Sequence, residues 1–239
     1  MKLYRVLIRA KSASFRYPNF ISSNQLSIKA VPYTTLAGLI SSAIGKEIEN
    51  FEFSYTFRYL SIYEDLETIY KFEKKGNSVN NKNVVADPTF KREILYDCYL
   101  TLYLTDKKIA NAFKAPHFQL LLGRSGDLAR VVQIKEIEAK EVDFAYLNGT
   151  VVPFSEFKSF GEFYALPRIL DTKRLVRVAK GVEMFLINDG KGKFLYKPQN
   201  LKEEFDLKNW KFDKMENKID TKAYFDEELN TSILLRKIC

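Results

Sequence analysis

Histidine occurs once in the 239 residues, at His117, and cysteine twice, at Cys98 and Cys239. One histidine excludes a two-histidine acid–base pair on a single chain. Two cysteines this far apart make neither a disulfide framework nor a metal knuckle, and such thiol usage fits a reducing cytoplasm. No apolar run approaches the roughly 20 residues that a membrane-spanning helix requires, so no membrane partner is expected. The opening MKLYRVLIRAK interrupts its apolar run with arginines and does not read as a signal peptide. Also missing are GxxxxGK[ST], a GxGxxG after a strand, HExxH and paired CxxC motifs. The expectation is a chain with no catalytic residue, no metal, no cofactor and no small-molecule substrate.

The most informative absence is of acid. Residues 1–46 carry Lys2, Arg5, Arg9, Lys11, Arg16, Lys29 and Lys46 and not one Asp or Glu. Between Leu201 and Glu228, by contrast, six lysines face nine acids. The whole chain has a formal charge of +8 and a pI of about 9.2. Such asymmetry suggests a basic face that meets a polyanion and a mixed tail turned to solvent or protein. The competing explanation is a surface that is basic throughout. Hydrophobic residues at 46% and aromatics at 14% supply a packed core and argue against wholesale disorder.

What is present reads as alternating strands around two helices. Tyr4, Val6, Ile8 and Ala10 fall on one side of a strand, with Leu3, Arg5, Leu7 and Arg9 on the other. After a long loop over 12–33, a helix starts at Thr34 or Thr35, either of which can cap it. Leu36, Leu39, Ile40, Ala43 and Ile44 form its apolar stripe and Gly45 stops it. Two strand-like runs fill 54–73, with Tyr55, Phe57 and Tyr59 on one face and a turn near Glu64-Asp65. The stretch 72–92, rich in Gly, Asn and Lys, reads as a protruding hairpin. A long strand follows, with Ile94, Tyr96, Cys98, Leu100, Leu102 and Leu104 on one side. A short helix over 106–114, a glycine turn in 118–131 and a strand through Ile137 complete the run. Stripped of loops this is β-α-β-β-α-β, an α+β, ferredoxin-like plan over 1–140 with a basic hairpin inserted before the third strand. Residues 141–239 read as a small β-rich C-terminal region. In it, strands 182–187 and 193–197 flank the hairpin signal NDGKG, and strand then helix is expected around Ala223 to Arg236.

The signals that carry chemistry are binding signals. SASFRYPNF at 12–20 sets Arg16 between Phe15 and Tyr17, and rings that stack on bases beside a guanidinium that pairs with phosphate suit single-stranded RNA. The same rings, with Phe20, can instead anchor the loop into the core. Tyr33, Thr34 and Thr35 offer helix-start amides and hydroxyls that suit a phosphate, or ordinary capping. Gly123 and Gly126 flank Arg124 and Ser125, where the backbone can approach a ligand closely.

In combination these motifs resemble the CRISPR-associated RAMP proteins of Cas family five, most nearly those of type I-B systems. SASFRYPNF and VPYTTLAGLISSAIG at 31–45 are similar to the start of that family. LLLGRSGDLA at 120–129 is similar to its glycine-containing segment, and the insertion at 72–92 falls where the family carries a thumb hairpin. The likeness covers about the first 140 residues. It implies a non-catalytic subunit of a type I Cascade complex that grips the 5′ handle of the crRNA and joins the large subunit to the backbone subunits in antiviral defence. It implies RNA contacts from Lys11, Ser14, Phe15 and Arg16, from Tyr33, Thr34 and Thr35, and from Gly123, Arg124 and Ser125. Thumb contacts would come from Lys71, Lys74, Lys75, Asn80, Lys82, Lys91 and Arg92. One subtype of the family cleaves repeat RNA without metal. The alternative is therefore an endoribonuclease, its acid–base set recruited around His117 and a group such as Lys11, Tyr33 or Lys114.

Overall fold

Clean alternation at the N-terminus produces β1 (Lys2–Ala13), and the rest of the molecule is arranged around it. The computed structural model describes residues 1–18, 24–48, 50–68, 70–75, 78–86, 90–143, 145–154, 162–171, 178–189, 194–196, 206–207, 210–211 and 222–238. After β1 come β2 (Asn24–Gln25), α1 (Tyr33–Ile44), β3 (Phe51–Arg58), β4 (Ser61–Glu67), β5 (Tyr70–Lys75), β6 (Ser78–Ala86) and β7 (Phe90–Leu104). α2 (Lys107–Ala112), β8 (Ala129–Glu138), β9 (Lys140–Val142) and β10 (Ala145–Leu147) follow. β11 (Val151–Pro153), β12 (Glu162–Asp171), β13 (Val178–Ile187) and β14 (Phe194–Tyr196) come next. The chain ends with β15 (Asp206–Leu207), β16 (Trp210–Lys211), β17 (Ala223–Asp226), β18 (Thr231–Leu234) and β19 (Arg236–Ile238). No helix among the described residues is long and apolar enough to cross a membrane.

The main sheet runs β19-β3-β7-β1-β8, antiparallel along this order, with β4 paired antiparallel and β2 parallel to β7. Its inner face meets the helices. Val6, Ile8 and Ala10 of β1, Phe53, Tyr55 and Phe57 of β3, and Leu100, Leu102 and Leu104 of β7 share one core with Leu36, Leu39 and Ile40 of α1 and Ile109 of α2. The stripe expected on α1 is thus buried, and Gly45 ends the helix in the left-handed region at φ 83°. The helix begins earlier than expected. Pro32 is its N-cap, so Thr34 and Thr35 lie inside the first turn rather than capping it.

Three strand expectations are corrected. First, no turn occurs at Glu64-Asp65. β3 and β4 pair with β7 in one unbroken register, Arg58 opposite Tyr99 and Ser61 opposite Tyr96, so the two runs form one interrupted strand. β4 mixes Ile62, Tyr63 and Leu66 with polar residues and is exposed on both faces up to Glu67, so it lacks the alternation that marks a half-buried strand. Second, the faces of β7 slip at Asp97, whose φ is 49°. Leu95 and Cys98 both enter the core while Tyr96 is exposed, because one left-handed residue shifts the two-residue period. Third, the segments around NDGKG do not pair with each other. β13 pairs with β11 and β12 while β14 pairs with β10, and residues 190–193 of the turn lie outside the described residues.

The C-terminal region is not set apart from the first 140 residues. β19 adds a strand to the edge of the main sheet beside β3, and Val151, Leu166, Phe185 and Ile187 belong to the same core as β1. The helix expected around Ala223 to Arg236 is replaced by β17, β18 and β19. β17 also pairs with β9, and Tyr224 and Ile233 pack with Leu3 and Tyr103 against the outer face of the main sheet.

Candidate nucleic-acid interface

β5 and β6 form an antiparallel pair between β4 and β7, so the 72–92 insertion includes a two-stranded arm. Lys71, Lys74, Lys75, Asn80 and Lys82 lie on these strands, where the structure describes the backbone path alone. At the arm's root the β4–β7 pairing sets Glu67 opposite Phe90 and Asp65 opposite Arg92. Here the chain uses charge to tie three segments together. Arg92 donates to both carboxylate oxygens of Glu67 at 2.9 and 2.7 Å. From the other side Arg124 reaches the same carboxylate at 2.8 Å. Hydrogen bonds from Arg92, ahead of those from Arg124, hold the Glu67 carboxyl below its ordinary range.

Arg124 is itself fixed by Asp127, a fully buried carboxylate. Its main-chain amide, Nε and Nη2 all donate to Asp127, at 3.0, 3.1 and 3.1 Å, and Ser12 Oγ donates to the same group at 2.6 Å. The glycine turn is therefore fastened to β1 and to the arm at once. Gly123 makes the close approach possible. Its φ is 113°, and a Cβ there would lie 2.2 Å from the carbonyl oxygen of Ser14. Ser14 is buried, with its hydroxyl donating to the Glu93 carbonyl at 3.2 Å, and Glu93 also holds Lys29 at 2.5 Å. Ser14, Gly123, Arg124 and Arg92 are thus brought together, with Ser125 exposed on the same turn.

Other expected contacts go elsewhere. Phe15 is 2% exposed and packs edge-on against Phe57, and Tyr17 is buried against Tyr164. A ring so enclosed cannot stack on a base, so these rings anchor the loop; Phe20 lies outside the described residues. Tyr33 is likewise in the core, flanked by Phe53 and Phe185, with its hydroxyl donating to the Val151 carbonyl. Thr34 and Thr35 are half-buried, and the amides of Thr35 and Leu36 both donate to the Pro32 carbonyl. This helix start is a packed element rather than an open anion site. Lys11, Arg16 and Lys91 remain exposed. His117 is exposed too, but its ring rests on the end of α1. A Cβ on Gly45 would lie 2.6 Å from the ring, and Lys114 lines the same groove.

The acid-free N-terminus does not give a bare cationic face. Lys2 pairs with Glu136, Arg5 with Asp226 and Glu228, Arg9 with Asp97, and Lys29 with Glu93. The residues that sequence reasoning missed are these distant acids and, at the joint, Glu67 and Asp127. Only Asp127 left a local sign, as an acid three residues after Arg124 at the close of a two-glycine turn.

No family model and no curated protein matches the sequence. Solved structures do. A chain of the type III-B Cmr-beta complex bound to cognate target RNA superposes with a TM-score of 0.51 at 10% identity, covering 79% of this chain and 86% of that one. A chain of a CRISPR RNA-guided surveillance complex gives 0.48 at 16% identity, over 81% and 90%. A CRISPR protein from Archaeoglobus fulgidus gives 0.45 at 13%, over the full length of both. At these identities the likeness is one of fold, and it rests on the Cmr-beta chain.

Proposed function

We propose that this chain is a non-catalytic, RNA-binding subunit of a CRISPR effector complex, one that holds the 5′ handle of a type I guide RNA. In that role it would join the large subunit to the adjacent backbone subunit. The strand order β3-β7-β1-β8, with both helices on the inner face, supports a ferredoxin-like RAMP domain whose arm is the thumb. The Cmr-beta chain with this fold belongs to a complex that binds RNA, which favours the same class of ligand here.

The observation that carries the proposal is the joint at Glu67. Arg92 and Arg124 converge on one carboxylate, so a lysine-bearing arm, a glycine turn and the first loop are held as one unit. Around that unit Lys11, Arg16 and Lys91 present cations to solvent. Fixed cations and a close-approach backbone grip a phosphate chain without needing an acid–base pair. Co-expression with the neighbouring subunits should recover a small RNA that begins with repeat-derived sequence. Arg16→Gln with Lys91→Gln should lower its yield while the chain stays folded. Recovery of no RNA from the assembled complex would remove the proposal.

A further inference from the structure

The outer face of the main sheet holds a second cluster, beside the glycine turn, to which the motifs contribute Lys11 alone among its charged and aromatic residues. Across four adjacent strands one row is in register. Arg58 of β3 lies opposite Tyr99 of β7, Tyr99 opposite Arg9 of β1, and Arg9 opposite Arg130 of β8. Neighbours in register share a face, and the adjacent row of Phe57, Leu100 and Ile8 is core, so this row points outward. Arg58, Tyr99 and Arg130 are exposed, Tyr99 by 45%.

The next positions continue the pattern. Lys11 Nζ stands 5.9 Å over the ring of Tyr96, and Arg9 lies 5.0 Å from the centre of Tyr99. Tyr63 meets Tyr96 edge-on and is also exposed. Asp97 accepts from Arg9 at 2.9 and 2.7 Å, which orients the guanidinium beside Tyr99. Among the described residues it is the one carboxylate that pairs with this cluster, against the four cations Arg9, Lys11, Arg58 and Arg130. A groove of ≈ 250 Å³ lined by Arg9, Lys11, Gln119, Leu128, Ala129 and Arg130 extends the surface past the edge of the sheet.

We infer that this open part of the outer face is a platform for single-stranded RNA, on which Tyr99 and Tyr96 stack bases while Arg58, Arg130 and Lys11 meet phosphates. The inference rests on the RNA-binding role proposed above and adds a place for it. Exposed rings interleaved with cations that outnumber their one carboxylate match an unpaired strand, whose bases offer π-faces and whose backbone offers charge. A duplex would present no free base faces. A protein partner would have to bury several cations against acids of its own.

The test is fluorescence anisotropy of the full chain with a fluorescein-labelled single-stranded U15 RNA across a salt series. Tyr99→Ala should weaken binding about 5- to 150-fold, as expected for one lost stacking contact, whereas Tyr99→Phe should stay within about two-fold. Arg58→Gln with Arg130→Gln should reduce the slope of log affinity against log salt by about 1.4, or about 0.7 per phosphate contact. All three changes are at exposed positions, and unchanged melting curves would exclude misfolding. If these variants bind like the parent chain while Arg16→Gln with Lys91→Gln weakens binding, the platform is wrong and the RNA-binding role survives. If the parent chain does not bind the probe, both are wrong.

Discussion

Arg5 and Arg9 sit four residues apart on the same strand and the same face, yet they meet opposite fates. Arg5 is 1% exposed beneath β17 and β18, where it donates to Asp226 at 2.7 Å and lies 3.0 Å from Glu228. Burial alone would lower its pKa, but the hydrogen bonds to Asp226 and Glu228 more than offset this and raise it. Tyr103 donates to the same Asp226 at 2.9 Å, and burial raises its pKa in turn. Arg9 has one carboxylate, Asp97, and otherwise faces solvent beside Tyr99. The difference shows where charge is structural and where it is available. The C-terminal strands bring acids that neutralise one end of the outer face and cover it. At the other end cations outnumber acids, and that end stays open to a polyanion.

The comparison is broken most severely at its covered end. Asp226→Ala would leave Arg5 buried without its closest acid and should cost about 3–5 kcal/mol in urea unfolding. At the open end Asp97→Asn, which removes the charge but keeps a residue that tolerates the left-handed backbone, should cost no more than about 1 kcal/mol, since a partly exposed pair contributes little. Equal losses from the two variants would mean that both ends are structural.

A change at the turn beside the open end should fall between these two. Gly123→Ala places a Cβ against the Ser14 backbone at a positive φ, and should cost at least about 1–3 kcal/mol by thermal melting. It should also weaken RNA binding by displacing Arg124, whereas Gly126→Ala, with no atom within 4 Å of its Cβ, should do neither.

A smaller effect should appear with pH. Glu67 is lowered from its ordinary value of 4.5 by Arg92 first and Arg124 second. Its contribution is therefore fully present above 4.5 and is lost as the pH falls through the lower value it has in the fold. Glu67→Gln should flatten that part of the stability profile measured below pH 5, and an identical profile would detach the arm's root from the joint described here.

Much of the inner face was legible because its signals are local. The alternation of β1, the stripe of α1, the Gly45 stop and the β8 strand all arise within a dozen residues. What escaped depends on distant partners. Arg5 and Asp226 are 221 positions apart, and the Leu234 amide donates to Ser54 Oγ across 180. No periodicity within β17 or β18 announces that they cover a sheet formed by the first 140 residues. The same limit governed the site. Gly123, Arg124, Ser14 and Lys11 stand in recognisable motifs, but whether Phe15 meets a base or the core, and whether the helix start at Tyr33 is open or packed, stays undecided because a sequence does not say which side of a loop is enclosed. Arg58, Tyr99 and Arg130 escaped for the converse reason. They form a row only after four strands align in register.

The central claim is that the chain binds guide RNA without cutting it. Cleavage without metal needs one group to take the 2′-hydroxyl proton and another to protonate the leaving oxygen, each supplying about 10²–10⁴-fold. Tyr33, one candidate partner for His117, is buried in the core, and Lys114 and Arg130 are the basic groups that share the groove of His117. The direct measurement mixes the purified chain with labelled repeat RNA from the CRISPR array of its own genome, in EDTA, and follows binding and length together. The expected result is a bound, intact RNA, with His117→Ala changing affinity by no more than a few-fold. Cutting at one repeat position, abolished by His117→Ala while binding persists, would contradict the account and make the chain an endoribonuclease.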